Sequence, residues 1–208
     1  AVGDNALGAN TTASYNTAVG ADALLVSTTG QRNVAVGYTA LDAATTGSDN
    51  AVVGAYAGTA VTTGIENTLL GYYAGAAITT ADYNTGVGSG ALQNNTAGTN
   101  TAVGRIAMYA NTTGTDNTAM GYAALDANTT GNDNTAIGDN ALGANTTANA
   151  NTAVGSGTLL VNTTGEYNIA VGADSLAANT TASNNVAVGK NALTANTTAA
   201  NNVAVGRD

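Results

Sequence analysis

The chain has 208 residues, with four Lys and Arg against thirteen Asp and Glu, a net charge of −9, and no Cys, Pro, His, Trp or Phe. That composition excludes thiol and imidazole chemistry, disulfide staples and the common zinc sites. The acidic balance speaks against a nucleic-acid partner.

Taken from its first residue, the chain is one motif written many times. Asn16-Thr17-Ala18-Val19-Gly20 recurs with small changes every seventeen residues. Its glycines stand at Gly3, Gly20, Gly37, Gly54, Gly71, Gly88, Gly104, Gly121, Gly138, Gly155, Gly172, Gly189 and Gly206, and only the interval from Gly88 to Gly104 is shorter, at sixteen. A fixed period of this size signals a small unit stacked on itself, because one such unit cannot bury its apolar face alone. Ala, Gly, Asn and Thr dominate and only 8% of residues are charged. The strict period, with an aliphatic residue before each glycine, separates this from low-complexity disorder. No stretch approaches the roughly eighteen continuous apolar residues of a membrane-spanning helix, so no membrane insertion is expected.

Within a repeat the first element is a strand of four or five residues ending at the glycine. Val19, Val36, Val53, Leu70, Met120 and Ile137 belong to its last column, which is aliphatic throughout, and the column before it is mostly Ala. Such β-branched runs favour strand, while recurring Gly and adjacent Thr pairs disfavour helix. Seventeen residues are too few for a helical crossover between parallel strands. The expected fold is therefore all-β, a parallel β-solenoid of about twelve coils forming a single domain over 1–208. The aliphatic column is taken to face the interior. The Ala column is expected to be covered by a partner, since strands apolar on both sides read as covered on both faces.

After the glycine a second inward column is expected at Leu7, Leu24, Leu41, Leu92, Leu125, Leu142, Leu159, Leu176 and Leu193. Gly58 and Gly75 break it, and the same repeats carry Val61 and Ile78 three residues later, as though volume lost at one position returns at another. A Thr-Thr pair follows, as at Thr11-Thr12, with one Thr column expected inside and one outside. The pair fails at Ala97, which places the missing residue of the short repeat between Thr96 and Asn100.

Asn closes every coil, at Asn16, Asn33, Asn50, Asn67, Asn84, Asn100, Asn117, Asn134, Asn151, Asn168, Asn185 and Asn202. Stacked about 4.8 Å apart, these amides are expected to form a structural ladder. Asn also tolerates the left-handed backbone that a corner there would need. Asn-Thr-Thr further spells a glycosylation acceptor at Asn10, Asn111, Asn128, Asn145, Asn162, Asn179 and Asn196, a string the repeat generates for turn and strand reasons alone.

Charges and aromatic rings fall outside the strict columns. Tyr15, Tyr83 and Tyr167 precede the ladder Asn, Tyr38, Tyr72 and Tyr122 follow the glycine, and Tyr56, Tyr73 and Tyr109 lie close by. All nine are candidate surface contacts, because exposed Tyr supplies binding area at little entropic cost. Asp49 beside Glu66 and Asp116 beside Asp133 stack like charges, yet two acids supply few of the roughly six to eight oxygens calcium takes. No metal, cofactor or catalytic residue is expected, because repeats offer like groups in rows rather than unlike groups converging.

Asn-Thr-Ala-Val-Gly followed by two variable residues and Ala-Leu resembles the head repeats of trimeric autotransporter adhesins and similar bacterial and phage fibre proteins. The resemblance covers nearly the whole chain. It implies a left-handed β-roll, three chains side by side, an extracellular or cell-surface location, and host-surface or matrix ligands. The expectation is a non-enzymatic fibre or adhesin-head segment that associates with copies of itself, as homotrimer or filament. The ends stand in one register, at Ala-Val-Gly and Ala-Val-Gly-Arg-Asp. The chain is accordingly read as a segment of a longer or end-to-end stacked fibre. A phage tail-fibre shaft, or ice binding through an outward Thr row, are the alternatives.

Overall fold

The computed structural model describes residues 1–207 and is a parallel β-solenoid, with no helix among the described residues. Two compact units divide the chain, Ala1–Asn100 and Thr101–Asp208. The first carries β1 (Thr17–Val19), β2 (Val34–Val36), β3 (Ala51–Val53), β4 (Thr68–Leu70) and β5 (Thr85–Val87), each paired in parallel with the next. The second carries β6 (Thr101–Val103), β7 (Thr118–Met120), β8 (Thr135–Ile137), β9 (Thr152–Val154), β10 (Ile169–Val171), β11 (Val186–Val188) and β12 (Val203–Val205), stacked the same way. Partners such as Ala18 and Ala35 lie seventeen residues apart, so the period of the sequence is the register of the sheet. Each strand has three residues, shorter than expected.

The strand faces are the reverse of the sequence expectation. The middle residue of each strand points inward: Ala18, Ala35, Val52, Leu69, Ala119 and Ala153 are buried. The aliphatic residue before the glycine points out, leaving Val53 40% and Met120 43% exposed. The cause is the narrow coil, in which the Leu column already fills the space across from the strand and leaves room for little more than a Cβ. Where Leu gives way to Gly58 and Gly75, the strand residues grow to Val52 and Leu69. A Cβ on Gly75 would lie 2.6 Å from Leu69 Cδ2 and 2.9 Å from Ile78 Cδ1. Leu69, Val61 and Ile78 therefore occupy the volume the missing leucines vacate, all in one buried cluster. One coil on, opposite Leu69, stands Gly86, whose Cβ would crowd both Leu69 and Leu92.

The corners use backbone that most residues avoid. Leu24, Leu41, Leu125 and Leu142 all have φ between +52° and +54°. A bulky residue there is unusual and costs on the order of 1–2 kcal/mol. The compensation is hydrogen bonding between coils. Leu24 N–H donates forward to Ala40 O (3.0 Å), whereas Asp22 N–H, at φ +57°, donates back to Asp4 O (2.9 Å). Alternating left-handed residues thus send donors to both neighbouring coils while turning the leucine inward. A third left-handed residue precedes each ladder Asn, for example Asp49 at +60° and Asp116 at +59°. The left-handed turn therefore falls one residue earlier than expected, and the ladder Asn itself is free of it.

Neither member of the Thr pair faces inward, contrary to expectation. Thr45, Thr62, Thr129 and Thr163 are half-buried and their hydroxyls donate to the corresponding Thr carbonyl of the next coil, at 3.0 to 3.3 Å. The second Thr of each pair, such as Thr46 or Thr130, is exposed.

Candidate functional site

The ladder asparagines of each unit are inside and bonded to one another. Asn50 is representative: its backbone N–H and its Nδ2 both donate to Asn33 Oδ1, at 3.0 and 3.1 Å, and Nδ2 also donates to Gly64 O at 2.9 Å. The same pattern ties Asn67 to Asn50 and, in the second unit, Asn134 to Asn117, Asn168 to Asn151 and Asn185 to Asn168. One amide oxygen thus serves a backbone and a side-chain donor of the following coil. An acid could accept there but could not donate, and an amide does both.

A second ladder, which the sequence analysis did not anticipate, runs through the second unit at the Asn of the Asn-Thr-Thr strings. Asn111, Asn128, Asn145, Asn162 and Asn179 are buried. Asn128 Nδ2 donates to Asn111 Oδ1 at 2.8 Å, Asn145 to Asn128 at 2.9 Å and Asn179 to Asn162 at 2.9 Å. The two ladders meet at the corner carbonyls, where Gly131 O accepts from Asn117 Nδ2 (2.8 Å) and from Asn128 Nδ2 (3.0 Å). The Asn-Thr-Thr strings of these coils are therefore packing motifs, and their amide nitrogens are sealed from a modifying enzyme in the folded chain. Asn10 alone of the seven is exposed. In the first unit the equivalent column changes from Ser27 through Ala44, Val61 and Ile78 to Asn95, trading hydrogen bonds for volume. Asn95 then joins the columns across the short repeat, with its Nδ2 on Asn84 Oδ1 and its Oδ1 accepting from Asn100 Nδ2, both at 3.3 Å. The regular Asn at this position was the available signal.

Removing one ladder side chain orphans donors in the next coil. Asn117→Ala is expected to cost about 1–3 kcal/mol, since it strips the acceptor from Asn134 N and Nδ2. Asp116→Ala, on the exposed neighbour, is expected to cost about 1 kcal/mol or less. Urea unfolding of the two variants checks the ranking, and equal losses would refute the structural role of the ladder.

One acid of the charged column before the ladder is paired with a cation. Arg32 Nη2 donates to Asp49 Oδ2 at 2.8 Å and Arg32 Nε to Asp49 Oδ1 at 2.6 Å. That hydrogen-bonded guanidinium holds the Asp49 carboxyl below its usual range. Among the described residues no group of three or more Asp, Glu, His or Cys is placed to hold a metal ion.

All nine tyrosines lie on the surface or half-buried beneath it. Tyr15, Tyr83 and Tyr167 occupy the left-handed position before the ladder, while Tyr109 and Tyr122 stand singly, Tyr122 with Arg105 5.7 Å from its ring centre. Tyr38, Tyr56, Tyr72 and Tyr73 form a cluster. Tyr56 and Tyr73 stack at 4.8 Å and 7°, and Tyr38 and Tyr72 stand nearly perpendicular to them at 5.4 and 4.5 Å. Two steps of seventeen bring Tyr38 to Tyr72 and one brings Tyr56 to Tyr73, so the cluster was latent in the alignment of repeats. Desolvation among these rings, with the Tyr72 phenol beside it, pushes the Tyr73 phenol above its ordinary pKa.

Comparison with protein-family models, curated proteins and solved structures finds no match to this chain. Among the described residues, no helix is long and apolar enough to cross a membrane.

Proposed function

We propose that the chain is a non-enzymatic, extracellular structural segment, of the fibre or adhesin-head kind, which associates with copies of itself through the outer face of its strands. One observation carries this reading: of the two outward columns, the one before the glycine is aliphatic in every strand, beside a column of Thr, Val, Ile and Ala. In the second unit it presents Met120, Ile137 and Val154 in register from coil to coil, Met120 and Ile137 being 43% and 38% exposed. In the first it presents Val19, Val36 and Val53, likewise in register. Monomeric proteins seldom leave a contiguous aliphatic patch in water. Rows of like groups, rather than converging unlike ones, also favour a scaffold over a catalyst.

Sedimentation velocity tests the proposal. The parent protein is expected to sediment as a multi-chain species, and Met120→Lys with Ile137→Lys, neighbours across β7 and β8, is expected to release monomers with an unchanged β spectrum. A parent that sediments as a folded monomer would overturn it. Ice binding is the second reading, favoured by the exposed second Thr of each pair; thermal hysteresis in a dilute solution is its measurement.

A further inference from the structure

The tyrosine cluster is not required by the fold. Its side chains leave the corner outward, and Tyr38 and Tyr72 are 48% and 54% exposed. Tyr56 and Tyr73 moreover sit at φ +58° and +55°. Elsewhere the same column holds Asn5, Asp22, Thr39, Ile106, Ala123 and Asn140, so the corner itself asks for no aromatic ring. The rings are also held against one another before any ligand arrives, which removes part of the ordering cost of binding.

We propose that Tyr38, Tyr56, Tyr72 and Tyr73 form a platform for a linear, uncharged, β-1,4-linked polysaccharide. Tyrosine offers an apolar ring and a hydroxyl tip, and a pyranose offers the complement, a face of C–H groups rimmed by hydroxyls. The two exposed rings, Tyr38 and Tyr72, occupy one column two coils apart, about 9.6 Å at the coil rise. That is close to the advance of two residues in an extended β-1,4-linked chain, in which every second sugar turns the same face outward. Charge sets the rest of the specificity. The only cation of the first unit is Arg32, already held by Asp49, against six carboxylates including Asp42 and Asp82. An acidic glycan would find repulsion there and no partner. The platform lies on the turn after the strand, so it does not depend on self-association through the strand face.

Cellohexaose is the probe, titrated by calorimetry and by tyrosine emission, which no Trp obscures. The expected result is saturable binding by the parent protein. Tyr56→Asn with Tyr73→Asn is expected to weaken it at least tenfold; Asn suits the left-handed backbone, so the urea midpoint should hold. Tyr15→Asn with Tyr167→Asn should bind like the parent. Absence of saturable binding by the parent would overturn the proposal, as would undiminished affinity in the Tyr56/Tyr73 variant. Tighter binding of a sulfated glycan or of a proline-rich peptide than of cellohexaose would also overturn it.

Discussion

Gly71→Ala is expected to be among the most damaging single changes in the chain, at a cost on the order of 4 kcal/mol. Gly71 has φ +140°, a backbone conformation closed to L side chains, and a Cβ built there would lie 2.5 Å from the carbonyl oxygen of Gly88 in the next coil. The obstacle is backbone, so no side chain can swing aside. Because Gly71 N–H also donates to Val53 O at 2.8 Å, moving the residue would break a bond to the previous coil as well. Gly143→Ala is the control: its φ is ordinary and its nearest neighbour, Asn140 O, would be 3.3 Å away. That variant is expected to stay within about 1 kcal/mol of the parent, with lost chain freedom in the unfolded state favouring Ala. Thermal unfolding followed by circular dichroism separates the two. Similar midpoints would mean that coils can part at the glycine column without loss.

The second large effect is expected at Leu125, which is fully buried and lies in the left-handed corner at φ +54°. Leu125→Ala keeps the backbone strain while losing the packing that offsets it, so a loss of about 2–5 kcal/mol is expected. Leu125→Met, which preserves volume, is expected to cost less than about 1.5 kcal/mol. Tyr122→Ala, on the outer side of the same corner, should cost little. Chemical denaturation of the three variants gives the order. A Tyr122 variant weaker than the Leu125 variant would place the interior on the wrong side of the turn.

The solenoid was legible in the sequence because stacking is a strong constraint. Identical residues recurring every seventeen positions can pair in register only if each repeat is one parallel coil, and the structure pairs Ala18 with Ala35 and Thr118 with Thr135 accordingly. The leucine column and the trade of Gly58 and Gly75 against Val61 and Ile78 were legible for the same reason, since an interior of constant cross-section records every change of volume. Met108 takes the leucine place in the coil after the short repeat and is equally buried; counting by seventeen from Leu92 lands on Tyr109 and hides it.

Other features were decided by tertiary structure alone. A strand with Ala in one column and Val in the next announces two faces but not which is inside, and hydrophobicity favours the wrong one. The narrow coil decides, because Leu24 or Leu125 reaching across the interior leaves space for Ala and none for a row of Val. The second amide ladder was likewise ambiguous. Asn-Thr-Thr describes an exposed acceptor and a buried bonding partner equally well until Asn111 and Asn128 are brought within 2.8 Å. The corners were the least legible of all. Leucine has no local preference for a positive φ, and it adopts one at Leu24 and Leu125 only because N–H groups must reach the coils on both sides while the side chain turns in. Local sequence specifies what repeats; the cross-section of the coil and the hydrogen bonds between coils specify which way each repeat faces.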